Sequence, residues 1–235
     1  MKILNVIPFF APAWGFGGPV RVCFNIASEL AATGFEVTVA TTDAFDSRKR
    51  IEKLKEKING VTVVRFRNLS PGLAKGYNCF LPLGFTKYIK ENLREFDLAH
   101  LHAFFTYQNV ITSQYCRKFN IPYVLHLHES PVPRSLLGRV TIKKIFNFFY
   151  GGKILLGASK IIVVSQNEED DLVKFFPKLA DRVVVVPNSL DTKKIIQVAK
   201  PNRAKYGLKT EDKVILSLSR LSFIKGMDRL IKAFS

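Results

Sequence analysis

Short apolar runs rich in Val, Ile and Leu recur along the chain between stretches long enough for a helix: KILNVI, FEVTVATT, VTVVRF, DLAHLH, YVLHLH, KIIVVS, RVVVVP and KVILSLS. Such runs are the pattern of parallel strands covered on both faces by crossover helices. Between the first two, PVRVCFNIASELAATG sets Val22, Ile26 and Leu30 at helical spacing and Gly34 where a helix would stop. That is a βαβ unit. Further helices are predicted near 82–95, 106–118, 140–156 and 166–175. The economical fold is therefore α/β, a doubly wound parallel sheet of Rossmann-like type.

Two stretches break the rhythm. Residues 43–58, containing SRKRIEKLKEK, are strongly charged and lack a continuous apolar face, so they read as a solvated loop or exposed helix. Residues 129–140, ESPVPRSLLGRV, carry two prolines and no periodicity. Both follow strand ends, the side on which doubly wound sheets bind ligands. After VVVVPNSLD comes a polar, Lys-rich passage, and a fresh strand-loop-helix begins at KVILSLSRLSFIKGMDRLIKAFS. The expected organisation is a first domain over 1–190, a linker over 191–212 and the truncated start of a second domain over 213–235.

At 235 residues and 47% hydrophobic composition, the chain is not of the disordered class. Its cysteines, Cys23, Cys79 and Cys116, are widely spaced and lack a CxxC pattern, so neither a disulfide framework nor a cysteine zinc site is suggested. A reducing cytosol fits best. The opening MKILNVIPFFAPAWGF meets prolines and glycines without a cleavage-site pattern, and reads as a buried first strand rather than a signal peptide. No stretch reaches the roughly 18 apolar residues that a membrane span needs. A charge of +17 admits nucleic acid, an anionic membrane surface or a phosphorylated ligand. Nucleic acid is the weakest of these, because no helix-turn-helix, zinc or aromatic RNA-binding signature is present.

Four features could carry chemistry. In PFFAPAWGFGGPVR, between the first strand and first helix, Gly15, Gly17 and Gly18 let the backbone turn tightly and approach a ligand, while the following helix start offers N–H groups to an anion. The match to G-x-G-x-x-G is poor: Val20 stands where the third glycine belongs, and Asp43 lies only loosely where a ribose-binding acid would be. All four histidines form two H-x-H pairs at strand ends, His100 with His102 and His126 with His128. Residues i and i+2 share a face of a strand, so the pairs read as core histidines bonded to backbone, as a proton carrier or hydrogen-bond donor at His102 and His128, or as metal ligands. In SRLSFIKG, Arg220 and Lys225 suit two adjoining phosphates. Across 134–153, Arg139, Lys143, Lys144 and Lys153 interleave with Phe146, Phe148, Phe149 and Tyr150, which fits a core-facing helix with a basic outer side or a helix lying on an anionic membrane. The run Glu168, Glu169, Asp170, Asp171 reads as the charged first turns of a helix beginning after Ser165.

In this order, the loop ending in Gly17-Gly18, GFEVTVATT, FDLAHLH, KIIVVSQNEEDDL, RVVVVPNSLD and LSRLSFIKGMDRLIKAF resemble a retaining glycosyltransferase of family four, with the two-domain GT-B fold. The resemblance spans nearly the whole chain. It implies an N-terminal acceptor-binding domain, a C-terminal domain that binds a nucleotide-sugar donor, and transfer to a polysaccharide, glycolipid or other glycoconjugate. It sets Gly17 and Gly18 against the donor diphosphate or reacting sugar, His102 at the catalytic histidine and Arg220 with Lys225 at the donor phosphates. His128 and Glu129 are candidates on the acceptor side. No metal and no cofactor are expected, and the implied location is cytoplasmic, with peripheral contact at the inner membrane face. Asn188-Ser189 departs from the family's asparagine-glycine, Ser219 from its glycine before the donor arginine, and the family's acidic motif would fall beyond Ser235, so the chain alone is expected to have little or no transferase activity. The alternative reading is a non-catalytic module of the same fold that holds an anionic ligand or pairs with a separate donor-domain chain.

Overall fold

Seven of the eight apolar runs become strands β1 (Lys2–Val6), β2 (Glu36–Thr42), β4 (Val61–Phe66), β5 (Leu98–His102), β6 (Tyr123–His126), β7 (Lys160–Val163) and β8 (Val183–Val185), joined by a further strand, β3 (Lys55–Ile58). The computed structural model describes residues 1–46, 48–72, 74, 79–128, 131, 140–189, 203–219 and 225–234. The strands form one sheet in the order β3-β4-β2-β1-β5-β6-β7-β8, parallel throughout except where β3 pairs antiparallel with β4. The doubly wound α/β expectation holds.

Helices α1 (Gly18–Ala32), α2 (Phe85–Asn92), α3 (Tyr107–Phe119) and α5 (Gln166–Phe175) fall where periodicity placed them. The intervening helix α4 runs through Val140–Phe146, a π-helical segment Asn147–Gly151 and Gly152–Gly157. Start signals are local. Thr106 Oγ1 accepts from the Asn109 N–H at 3.2 Å to cap α3, and Ser165 Oγ accepts from the Glu168 N–H at 3.4 Å to cap α5. Glu168 reaches back to accept from the Val164 N–H at 3.0 Å, so the acidic run serves the helix start.

Two cores lie on the two faces of the sheet. Leu4, Val6, Ala99, Leu101, Leu125, Ile161 and Val163 pack with Phe85 and Ile89 of α2, Cys116 of α3 and Leu155 of α4. On the other face Ile7, Val37, Val39 and Val63 pack with Val20, Cys23 and Ala27 of α1 and with Phe9, Phe10 and Phe80. Because side chains alternate along a strand, Leu101 and Leu125 in the first core commit His100, His102 and His126 to the opposite face.

One expectation for this unit is corrected. Within 43–58, read as loop or exposed helix, residues 55–58 form β3, whose alternate side chains are exposed and partly covered. The antiparallel neighbour β4 supplies the ladder that a charged segment with no apolar stripe could not find as a helix. In the same stretch Asp43 is fully buried and accepts from the Arg50 guanidinium at 3.0 and 2.9 Å and from the Asn68 N–H at 2.8 Å. It is a structural clamp for the turn after β2, with its oxygens occupied.

The chain divides into Met1–Ser189 and Leu190–Ser235. The second unit holds a 3-10 turn, Ala204–Tyr206, and helix α6 (Met227–Phe234). Residues 213–219, expected to be a strand, carry none. Leu216 and Leu218 there are 83% and 94% exposed. A strand needs a neighbour for its backbone N–H and C=O groups, and no strand is present among the described residues of this unit.

Candidate active site

The carboxyl edge of the sheet gathers the glycine loop after β1 and the two histidine pairs. The loop after β1 is rooted there by several bonds: Ile7 N–H donates to Ala40 O at 3.2 Å, Thr42 Oγ1 to Pro8 O at 2.6 Å, and the buried Arg65 guanidinium to Ala11 O at 2.7 Å. Arg65 also donates to Lys53 O at 2.9 Å and pairs with Glu56 at 2.5 Å, tying the loop to β3 and β4. Beyond this root the chain forms a 3-10 turn at Trp14–Phe16, and Gly17 adopts φ 101° and ψ −151°, a conformation side-chain-bearing residues rarely take. Gly17 is the N-cap of α1, and no side chain caps that helix start. An ideal Cβ at Gly15, Gly17 or Gly18 would meet nothing within 4 Å. Open space therefore borders an uncapped helix N-terminus, the geometry that accepts an anion.

Next to β1 stands β5, and next to that β6. Their register sets Asn5 beside His100 and His102 beside His126. The rings of His100 and His102 lie 4.1 Å apart, those of His126 and His128 stack at 4.0 Å, and those of His102 and His128 stack at 5.3 Å. His102 is fully buried, with Nδ1 3.0 Å from Nε2 of His128 and Nε2 3.2 Å from Asn5 Oδ1. As the Asn5 carboxamide is oriented, its oxygen accepts from a proton on His102 Nε2, which leaves Nδ1 to accept from His128 Nε2–H. His128 is only partly buried and sits at φ 55°. Ala103, just past the end of β5, has φ 64°, and its carbonyl and that of His102 both accept from the Asn109 carboxamide. The chain thus leaves β5 and β6 through left-handed residues, Ala103 one position and His128 two positions past the strand ends, strain of the kind that collects at functional sites.

Burial holds all four imidazoles neutral. It depresses His100 and His128 to about 3, with repulsion from neighbouring histidines adding to it, and His126 to about 4. His102 is pushed well below its ordinary 6.5, by burial first and then by the other three rings. A neutral imidazole with its partner fixed offers a directed hydrogen bond rather than a mobile proton. Neither ring nitrogen of His126 has a partner, nor does His100 Nε2. The backbone bonds expected of core histidines are absent at those three atoms. One nitrogen each from His100, His102 and His126 all lie within 4.8 Å of one another, which makes them the metal-ligand set among the described residues. A tetrahedral zinc at ~2.0–2.1 Å from each nitrogen would have to draw such a set inward.

The sequence reading overlooked Asn5 and Asn109. A signal for Asn5 was present: an amide inside the apolar run KILNVI is costly unless something pairs with it. Lys225 is exposed, in the turn before α6 of the second unit. Arg220 and Glu129 lie outside the described residues.

A model of glycosyltransferase family 4 matches residues 16–194. The chain belongs to that family. It is 26% identical over 241 residues to an uncharacterized glycosyltransferase of Methanocaldococcus jannaschii, covering 99% of this chain and 59% of the relative. It is 22% identical over 246 residues to D-inositol 3-phosphate glycosyltransferase of Xylanimonas cellulosilytica, covering 99% and 58%. Among solved structures, Anabaena HepE in complex with UDP and glucose superposes with a TM-score of 0.65 at 20% identity, over 100% of this chain and 57% of HepE. The fold is GT-B. This family 4 chain spans about three-fifths of the length of the curated relatives it matches.

Proposed function

We propose that the protein containing this chain transfers a sugar from a nucleotide-sugar donor to a glycan, glycolipid or other glycoconjugate acceptor with retention of configuration, and that these residues supply its acceptor side. One observation carries the reading: the glycine loop at the uncapped start of α1 and the His102–His128 pair sit past the carboxyl ends of β1, β5 and β6, three neighbouring strands in the middle of the sheet. HepE, of the same fold, binds UDP and glucose, and a uridine nucleotide sugar is the first donor to try.

In this reading the N–H groups at the start of α1, opened by Gly17 and Gly18, face the donor diphosphate or the reacting sugar. Arg220 and Lys225 meet the donor phosphates and offset charge on the departing nucleoside diphosphate. His102 is the active-site histidine. Asn5 and His128 hold its ring in one tautomer, and His128, at the partly open end of the cluster, meets the acceptor side with Glu129. The acceptor hydroxyl attacks on the face the leaving group departs from, and the leaving phosphate takes its proton. Basic side chains and helix N-termini do the work of a cation, so the reaction needs no metal. The protein works in the cytoplasm, at the inner face of the membrane.

The test is turnover of a panel of sugar nucleotides, UDP-glucose first, by the longest natural product that contains these residues, with the product anomer read by NMR. Retained configuration is expected. Absence of turnover across the panel, or an inverted product, would overturn the proposal.

A further inference from the structure

Helix α4 presents apolar side chains outward. Ile145, Phe149 and Leu156 are 55%, 57% and 51% exposed, and Phe148 is 84% exposed with its ring 5.0 Å from that of Phe149. The inward side is occupied as well: Ile154 and Leu155 are buried in the core, Phe146 packs against it, and Tyr123 Oη donates to Ile154 O at 2.6 Å. A surface helix ordinarily turns polar residues to water. This one has apolar residues on both sides.

Its charge is one-sided. Between Ser130 and Asn167 stand Arg134, Arg139, Lys143, Lys144, Lys153 and Lys160, with no Asp or Glu. Lys144 and Lys153 are exposed, flanking the outward aromatics in sequence. Lys143 lies 4.6 Å from the centre of the Phe105 ring. Exposed Phe and Ile between lysines, on a helix anchored from behind, are the composition of a segment that enters the headgroup layer of an anionic bilayer. A protein partner with an acidic rim would match the charge, but two adjacent exposed phenylalanines and the absence of any acidic residue between Ser130 and Asn167 favour a fluid, uniformly anionic surface.

We infer that α4 is a membrane-docking surface for anionic phospholipid, with Phe148 and Phe149 inserting and Lys144 and Lys153 contacting headgroups. This rests on the peripheral membrane location proposed above and names the surface and the lipid class. No helix among the described residues is long and apolar enough to cross a membrane, so attachment through α4 would be interfacial and reversible.

The 235-residue chain is to be sedimented with phosphatidylcholine vesicles with and without about 30% phosphatidylglycerol at roughly 0.1 M salt. Binding to the anionic vesicles is expected to be about tenfold stronger or more. The double variant Phe148→Ser/Phe149→Ser should lower it by about tenfold while leaving the thermal melt unchanged. Lys144→Glu/Lys153→Glu should erase the preference for anionic lipid. Equal binding to both vesicle types, or binding indifferent to both variants, would overturn the inference. So would a dimer seen by light scattering that the phenylalanine variant dissolves, because the patch would then belong to a second copy. Sugar-nucleotide turnover is measured without lipid, so either proposal can fail while the other stands.

Discussion

His102 Nδ1 lies 3.0 Å from Nε2 of His128, and this contact joins a fully buried imidazole to one that reaches the open edge of the sheet. The pair links strand β5 to the residue two past the end of β6, and Asn5 on β1 holds it from behind. If the pair serves transfer as a unit, losing either member should cost a similar factor. In the longest natural product containing this chain, His102→Ala and His128→Ala are each expected to lower kcat by ~10²-fold. The double variant should lose little more than either single one, since groups that act together are not additive. Steady-state kinetics with the fold checked by circular dichroism decides it, and a His102→Ala enzyme with unchanged kcat would remove that residue from the mechanism.

The neutral histidines give stability a direction with pH. Unfolded, these groups take up protons near 6.5, whereas in the folded protein His126 waits until about 4 and His100 and His128 until about 3. Below 6.5 the unfolded chain therefore binds more protons, and stability falls as pH falls through that window. Each such histidine contributes a slope of ~1.4 kcal/mol per pH unit. Urea unfolding at intervals between about pH 6 and pH 4.5 should show the loss. His126→Gln should flatten the slope by roughly one proton's worth; an unchanged slope would mean that His126 protonates equally in both states.

Gly17 and Gly18 separate backbone from ligand effects. Gly17 has φ 101°, so Gly17→Ala should destabilise by about 1–3 kcal/mol whether or not a ligand is bound. Gly18 is helical with open space around it. Gly18→Ala should leave the melting temperature within a degree or two, yet place a methyl where a phosphate would approach. Calorimetric titration with UDP should show the second variant weakened while its stability is kept. Unaltered UDP affinity would move the diphosphate away from this helix start.

Arg65 anchors the loop from which those glycines project. Arg65→Met would leave Ala11 O and Lys53 O without their donor and Glu56 without its cation. A loss of ~3 kcal/mol or more in chemical denaturation is expected, because one partner of a buried pair is left behind. A loss below about 1 kcal/mol would show that water replaces the guanidinium.

Much of the first unit was legible in sequence because burial on both faces writes itself as apolar runs, and helix starts such as Thr106 and Ser165 carry their own caps. β3 was hidden: KEKI has no apolar stripe, and only its pairing with β4 makes it a strand. The segment 213–219 failed in reverse, being apolar enough for a strand without a described neighbour to pair with. Within the site, i and i+2 spacing already gave the shared face of each histidine pair. Asn5 escaped because its role exists only once β1 and β5 lie side by side.

The sheet's first edge has a consequence for the molecule in a crowded cell. A parallel sheet ending at β4 would offer a longer row of unsatisfied amides and carbonyls to any passing extended chain. Here the outermost strand is four residues long, runs antiparallel and carries Lys55 and Lys57 exposed. Short length and like charge make it a poor template for strand addition. Part of the +17 charge thus has a use unrelated to phosphate or lipid, as a guard against polymerisation at this flank of the sheet.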